Sequence, residues 1–199
     1  MKRFVRIIID AFFRIFYQLE VRGLETLTQE PVILAPNHNH LLDPLLLAAI
    51  YRPDLTAVAK KELSDIGWIR WIFGPLDVIS IDREGRDLKS IRQSVEILDR
   101  MSLIVFPEGT RNDSQTTPLP GKPGVPLMAR QAKVAIVPVV LHGNYRPFSK
   151  LIVEFMPGLT VESFGYRRLN SESYQAIADE ILNRIYQRKG ELIDENHHR

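Results

Sequence analysis

The chain has 199 residues, 45% of them hydrophobic and 25% charged, which is enough to bury one ordinary core and predicts a single domain. Its 26 basic and 24 acidic residues leave a formal charge of +2, so no overall field draws it to nucleic acid. With no cysteine at all, disulfides, thiolate metal sites and cysteine nucleophiles are excluded, and histidine, serine and carboxylates must carry any chemistry.

At the start of the chain, KRFVRIIIDAFFRIF puts Arg3, Arg6, Asp10 and Arg14 on one narrow stripe of a helix. Phe4, Ile7, Ile8, Phe12, Ile15 and their apolar neighbours form a face wider than a surface helix needs. The run is nonetheless too short and too charged to span a bilayer. Lys2, Arg3, Arg6 and Arg14 against Asp10 leave a local positive excess that favours an anionic lipid surface. Two readings remain open on this segment alone: a helix lying in a membrane interface, and a terminal helix docked on the core.

Next come β-branched runs that read as strands: PVILA from Pro31, LTAVA from Leu55, DVISI from Asp77, SLIVF from Ser102, VAIVPVVL from Val134 and LIVEF from Leu151. Between them, Leu88, Ile91, Val95 and Leu98 predict a helix from about Gly85 to Arg100. The Pro- and Gly-rich TTPLPGKPGVP reads as a loop within the domain. Tyr174, Ile177, Ala178, Ile181, Leu182, Ile185 and Tyr186 predict an amphipathic C-terminal helix, and residues 191–199 are expected to fray, with His197 and His198 in the frayed part. Such alternation predicts an α/β fold: a single domain over residues 23–190 with a mixed, largely parallel sheet flanked by helices.

The unusual residues follow the strands, where an α/β fold carries its chemistry. NHNHLLDP follows the Pro31 run, DRE the Asp77 run, PEGTR the Ser102 run and HG the Val134 run. His38, His40 and Asp43 could hold a metal, but within the body only His142 is left to complete a ligand set. No G-x-S-x-G elbow is present, and GKPG lacks the length and the Ser or Thr of a phosphate loop. The other use of the first motif is a dyad in which Asp43 fixes one imidazole nitrogen of His38, so that the second can take a proton from an alcohol. Arg83, Arg111 and Lys122 stand in or near the same loops and suit a phosphate, while Gly109 allows a tight turn beside Glu108.

Taken together, these blocks resemble the glycerolipid acyltransferase family, most closely its 1-acylglycerol-3-phosphate acyltransferases. NHNHLLDP is similar to the family's N-H-x-x-x-x-D block, SIDRE to its second block, FPEGTR to its third and VPVVLHG to its fourth, in order from Asn37 to Gly143. The resemblance implies that His38 is the general base and Asp43 its orienting partner, while Arg83, Glu108, Gly109, Arg111 and Lys122 bind the acceptor's glycerol phosphate. His40 stands where the family usually has serine, which makes it a rival base. The implied reaction moves a fatty acyl group from acyl-CoA or acyl-carrier protein (ACP), as co-substrate, to the sn-2 hydroxyl of 1-acylglycerol-3-phosphate. The product would be phosphatidic acid, made in phospholipid biosynthesis without cofactor or metal. The alternatives are another lysophospholipid acceptor, a metal-dependent hydrolase using His38, His40 and Asp43, and a non-catalytic lipid-binding domain.

A bilayer-resident acceptor favours the interfacial reading of the first helix, taken over residues 1–22, and leaves WIRWIF from Trp68 open to three readings: a second interfacial contact, an acyl-chain wall or ordinary core packing. The expected partners are a lysophospholipid, an acyl thioester, a membrane surface and ACP, with no nucleic acid. The expected location is the cytoplasmic face of the membrane, peripheral or monotopic, with no transmembrane span.

Overall fold

The computed structural model describes residues 2–27, 30–51, 54–60, 79–81 and 88–197. Helix α1 (Lys2–Phe16) leads directly into strand β1 (Gln18–Arg22). The helix expected over residues 1–22 therefore ends at Phe16. Its last turn closes with Tyr17 N–H bonded to the Phe13 carbonyl, and the next amide, Gln18, already bonds Ser149. Segment 18–22 is thus part of the domain's sheet, because a parallel partner over 130 residues away supplies its hydrogen bonds.

The other described strands and α-helices are β2 (Ile33–Pro36), α2 (Asp43–Ile50), β3 (Leu55–Lys60), β4 (Ile79–Ile81), α3 (Leu88–Leu98), β5 (Ser102–Ile104), α4 (Gly124–Ala132), β6 (Ile136–Gly143), β7 (Lys150–Phe155) and α5 (Ser171–His197). Among the described residues, seven strands lie in the order β1-β7-β6-β2-β5-β3-β4. Every neighbouring pair is parallel except β6 and β7. This is the mixed, largely parallel sheet that the alternation predicts, and the six strand-like runs coincide with β2 to β7.

Side chains alternate across the sheet and divide the core in two. Leu34, Val137, Val139, Leu141, Leu151 and Val153 face Phe13 of α1 and the Leu45–Ile50 stretch of α2. Ile33, Ala35, Leu103, Ile136, Val140 and Ile152 face α3, α4 and α5. Burying each such branched side chain stabilises the fold by roughly 1.5–3 kcal/mol, which is why the central strands are almost continuously apolar.

Two expectations about loops and ends change. The loop expected through Pro126 stops at Pro123, because Gly124, Val125 and Pro126 begin α4, where a first-turn proline loses no helical hydrogen bond. The tail expected to fray from residue 191 is the end of α5, which runs to His197. Leu192 is fully buried, and Glu195 pairs with Arg22 at 3.0 Å and with Arg188 at 2.8 Å, so packing and ion pairs hold those turns. No described helix is long and apolar enough to cross a membrane.

Helix α1 docks on the core by one side only. Phe13 is buried and Ile9 packs beside it, while Phe4, Ile7, Ile8, Phe12, Ile15 and Phe16 remain exposed. A narrow strip docks on the core, and the wider apolar face has no protein cover among the described residues.

Candidate active site

Strands β2, β3, β4, β5 and β6 all run in one direction, so the segments that leave their C-terminal ends gather along one edge of the sheet. Residues 37–42 connect β2 to α2 along that edge. Asp43 is the first residue of α2, with Pro44 behind it, and its carboxylate is completely buried.

Four donors surround Asp43. The amides of Asn39 and His40 reach Oδ2 at 2.8 and 2.7 Å, His38 Nδ1 meets Oδ2 at 3.0 Å, and the Tyr145 hydroxyl donates to Oδ1 at 2.5 Å. Burial, then the nearby Asp43 carboxylate, pushes the Tyr145 phenol well above its ordinary value, so it stays a donor. With its position set by three other donors, Asp43 can hold His38 as the tautomer protonated on Nδ1, leaving a lone pair on Nε2. Nε2 meets no hydrogen-bond partner among the described residues.

The backbone of His38 is held as firmly as its ring. Its N–H reaches Glu108 Oε1 at 3.3 Å, its carbonyl accepts from the Asn112 amide at 2.7 Å, and its ring stacks on Phe106 at 3.9 Å. On either side, Asn37 Nδ2 and Asn39 Nδ2 both donate to the Leu141 carbonyl, at 3.0 and 3.2 Å, and Asn37 Oδ1 accepts from the Leu141 amide at 2.7 Å. The imidazole is thus carried on a frame tied to β6.

His40 is arranged differently. Its Nδ1 accepts from the Leu42 amide at 3.2 Å and its ring stacks on Tyr145 at 4.1 Å, so only its backbone serves Asp43. Burial lowers its pKa; Asp43 opposes this, and the charges of Arg111 and His38 add to it. Among the described residues no cluster of three or more His, Asp or Glu side chains is placed to hold a metal ion.

The other expected residues separate into two groups. Arg111 and Lys122 are exposed and make no ion pair among the described residues. The Arg111 charge is near enough to His40 to help lower its pKa, and the Lys122 amide bonds the Pro107 carbonyl at 2.8 Å. Glu108, by contrast, is buried, and its carboxylate is turned to protein donors. Its oxygens accept from Asn112 Nδ2 at 2.6 Å, Tyr186 Oη at 3.1 Å, the Leu119 amide at 3.3 Å and the His38 amide. Four protein donors leave no free lone pair directed at solvent.

Gly109 contributes backbone rather than a ligand: its φ is 68°, and its amide closes a turn on the Phe106 carbonyl at 3.0 Å. At Gly143, with φ of 123°, a Cβ would lie 2.3 Å from the Lys150 carbonyl oxygen, so the glycine of the fourth block lets β6 pass close to β7. Arg83 and the WIRWIF segment lie outside the described residues.

Sequence reading missed Tyr145, Asn112, Tyr186 and Lys189. For Tyr145 no local pattern exists, since its partner Asp43 is 102 residues away. For Lys189 a signal was present: it falls in the stripe Ala178, Ile181, Leu182, Ile185, Tyr186, Lys189, Leu192, whose other members are apolar or aromatic and buried.

Fold and site together define an α/β protein with a buried-carboxylate and imidazole pair at the C-terminal edge of a largely parallel sheet. A family model described as Acyltransferase matches residues 18–142, and the chain belongs to that family. Among curated relatives, the 1-acyl-sn-glycerol-3-phosphate acyltransferase of Saccharomyces cerevisiae is 35% identical over 181 residues, covering 84% of this chain and 59% of the relative. A human protein, 1-acyl-sn-glycerol-3-phosphate acyltransferase beta, is 32% identical, covering 75% of this chain and 55% of its own. The chain thus spans a little over half the length of these relatives. In the crystal structure of the 1-acyl-sn-glycerophosphate (LPA) acyltransferase PlsC from Thermotoga maritima, the same fold recurs with a TM-score of 0.71 at 23% identity, over 94% of this chain and 80% of that one.

Proposed function

We propose that this protein transfers a fatty acyl group from acyl-CoA or acyl-ACP to the sn-2 hydroxyl of 1-acylglycerol-3-phosphate, forming phosphatidic acid for phospholipid biosynthesis. The observation that carries the reading is His38, tied through Nδ1 to Asp43 at 3.0 Å, with Nε2 unpartnered among the described residues and the Arg111 charge nearby. His38 Nε2 takes the proton of the acceptor hydroxyl as its oxygen forms a bond to the thioester carbonyl carbon. The tetrahedral oxyanion then collapses, the C–S bond breaks, and the thiolate leaves with the proton returned from His38. Asp43 stabilises the transient imidazolium. Arg111, Lys122 and Arg83 bind the phosphate, a role suited to guanidinium forks, while Glu108 and Gly109 shape the turn that supports His38.

Purified protein incubated with acyl-CoA or acyl-ACP and a panel of lysolipids tests this reading. Lysophosphatidic acid should be the preferred acceptor, and Arg111→Ala should raise its KM about tenfold with a smaller change in kcat. Preference for a lysophospholipid with another head group would keep the chemistry and overturn the acceptor.

The exposed face of α1 supports docking at a membrane that holds the acceptor. Phe148, 67% exposed, extends this face beside Phe16, with ring centroids 6.3 Å apart. Phe13 and Tyr17 pack on Tyr145 at 6.5 and 6.0 Å, and Tyr145 bonds Asp43, so the apolar face is linked to the dyad through a short chain of rings. Ile7 and Ile15 are 65% and 67% exposed. Changing both to aspartate should weaken flotation with anionic vesicles by about 100-fold or more while leaving the melting temperature nearly unchanged. Undiminished flotation would remove α1 from the docking surface.

A further inference from the structure

Lys189, in the middle of α5, is completely buried. Its ammonium reaches Asn39 Oδ1 at 3.4 Å, a long contact, and lies 5.0 Å from the centre of the Tyr186 ring. These two contacts are a poor replacement for the hydration a buried ammonium loses. What holds the charge there is the pair of buried carboxylates, Asp43 and Glu108, both of which favour its protonated form.

Those carboxylates flank His38, Asp43 through the ring and Glu108 through the backbone amide. Two buried negative charges beside an imidazole draw a proton onto it, and a protonated imidazole cannot accept one from an alcohol. We propose that Lys189 is a positioning residue for the acyl transfer: its buried ammonium offsets Asp43 and Glu108 and anchors Asn39, keeping His38 unprotonated and in place. This role rests on the base assigned to His38 above.

The groups facing this cluster are consistent with it. From β6, His142 is held neutral by burial and by the charges of Lys189 and Lys150, so it adds no second cation. From α5 itself, the Tyr186 phenol is raised by burial and by Glu108, so it adds no anion. From the loop after β5, Arg111 is an exposed cation whose charge acts on His40. Lys189 is therefore the buried cation of the cluster among the described residues. Burial pulls its own pKa down to about 8, against Glu108 and Asp43, so it remains charged at neutral pH.

The test is the pH profile of kcat for full-length protein with lysophosphatidic acid vesicles and an acyl thioester. In Lys189→Met the acid limb should move up by about one pH unit, a loss that approaches about tenfold on the acid side of the limb, is a few-fold near its midpoint and disappears as pH rises. KM for the acceptor should change little, and Lys189→Arg, which keeps the charge, should hold the limb near its wild-type position. Loss of activity at all pH values, with the limb unmoved, would assign Lys189 to packing alone and overturn the proposal.

If Lys189→Met does not fold, wild-type protein labelled at lysine and histidine decides the matter by NMR. The Lys189 signal should titrate near pH 8, with the His38 ring signal shifting in the same step; a lysine titration that leaves His38 untouched overturns it. An active His38→Ala protein would instead defeat the function proposed above, so the two failures are distinct.

Discussion

Replacement of His38 by alanine is expected to lower kcat for acyl transfer about 10³-fold, inside the range that general-base catalysis supplies. KM for the acceptor should change by less than about threefold, because the cations proposed to bind the phosphate, Arg111 among them, are left in place. The fold should survive. The side chain is already 17% exposed, and the surrounding frame is built from backbone bonds and from Asn37, Asn39 and Asp43, which the substitution leaves in place. Acyl-transfer rates at saturating lysophosphatidic acid, with a thermal melt as control, measure both parts. A variant keeping more than about a tenth of the wild-type kcat would mean that His38 does not take the proton. His40 is poorly placed to replace it, since its Nδ1 is occupied by the Leu42 amide and its ring does not meet Asp43.

Asp43 gives the second large effect, and two substitutions separate its charge from its shape. In Asp43→Asn the amide oxygen can occupy the Oδ2 position, where the Asn39 and His40 amides and the His38 ring all converge. The NH₂ group then faces the Tyr145 oxygen, which can accept. The opposite orientation would set NH₂ against two backbone donors, so the imidazole orientation is retained and the negative charge is lost. We expect kcat to fall about 100-fold or more with a nearly unchanged melting temperature, because the imidazolium formed in the transition state loses its counter-charge.

Asp43→Ala instead leaves the Asn39 amide, the His40 amide and the Tyr145 hydroxyl without their acceptor in a buried place. Each unpaired donor costs about 1–3 kcal/mol, a large fraction of the stability of a domain this size. Its melting temperature should drop clearly below that of Asp43→Asn. Equal melting temperatures for the two variants would contradict the donor arrangement around Asp43.

The dyad was legible in the sequence because its geometry is local. His38 and Asp43 lie on one strand-to-helix turn, and the same short segment brings the Asn39 and His40 amides to the carboxylate. Strands β2 to β7 were legible for a similar reason: each is a short apolar, β-branched run, and strands buried on both faces, such as β2 and β6, must be so wherever they pair. Strand β1 was not, because QLEVR follows an apolar helix and is a strand only where β7 offers it an edge. The four protein donors around Glu108 were not legible, because a carboxylate looks the same in sequence whether it faces solvent or a buried set of donors.

By itself the sequence determined the α/β class, the edge of the sheet at which NHNHLLDP and PEGTR gather, and the pairing of His38 with Asp43. These depend on periodicity and short spacings, which act within a few residues. Only the tertiary structure decided that Tyr145 caps Asp43, that Glu108 and Tyr186 brace the His38 loop, and that Lys189 lies buried behind it. Those partners are 102, 78 and 150 residues apart in the chain. A polar group's role depends on which distant surface removes it from water and which charge it then meets, and that is fixed only when the helices close over the sheet.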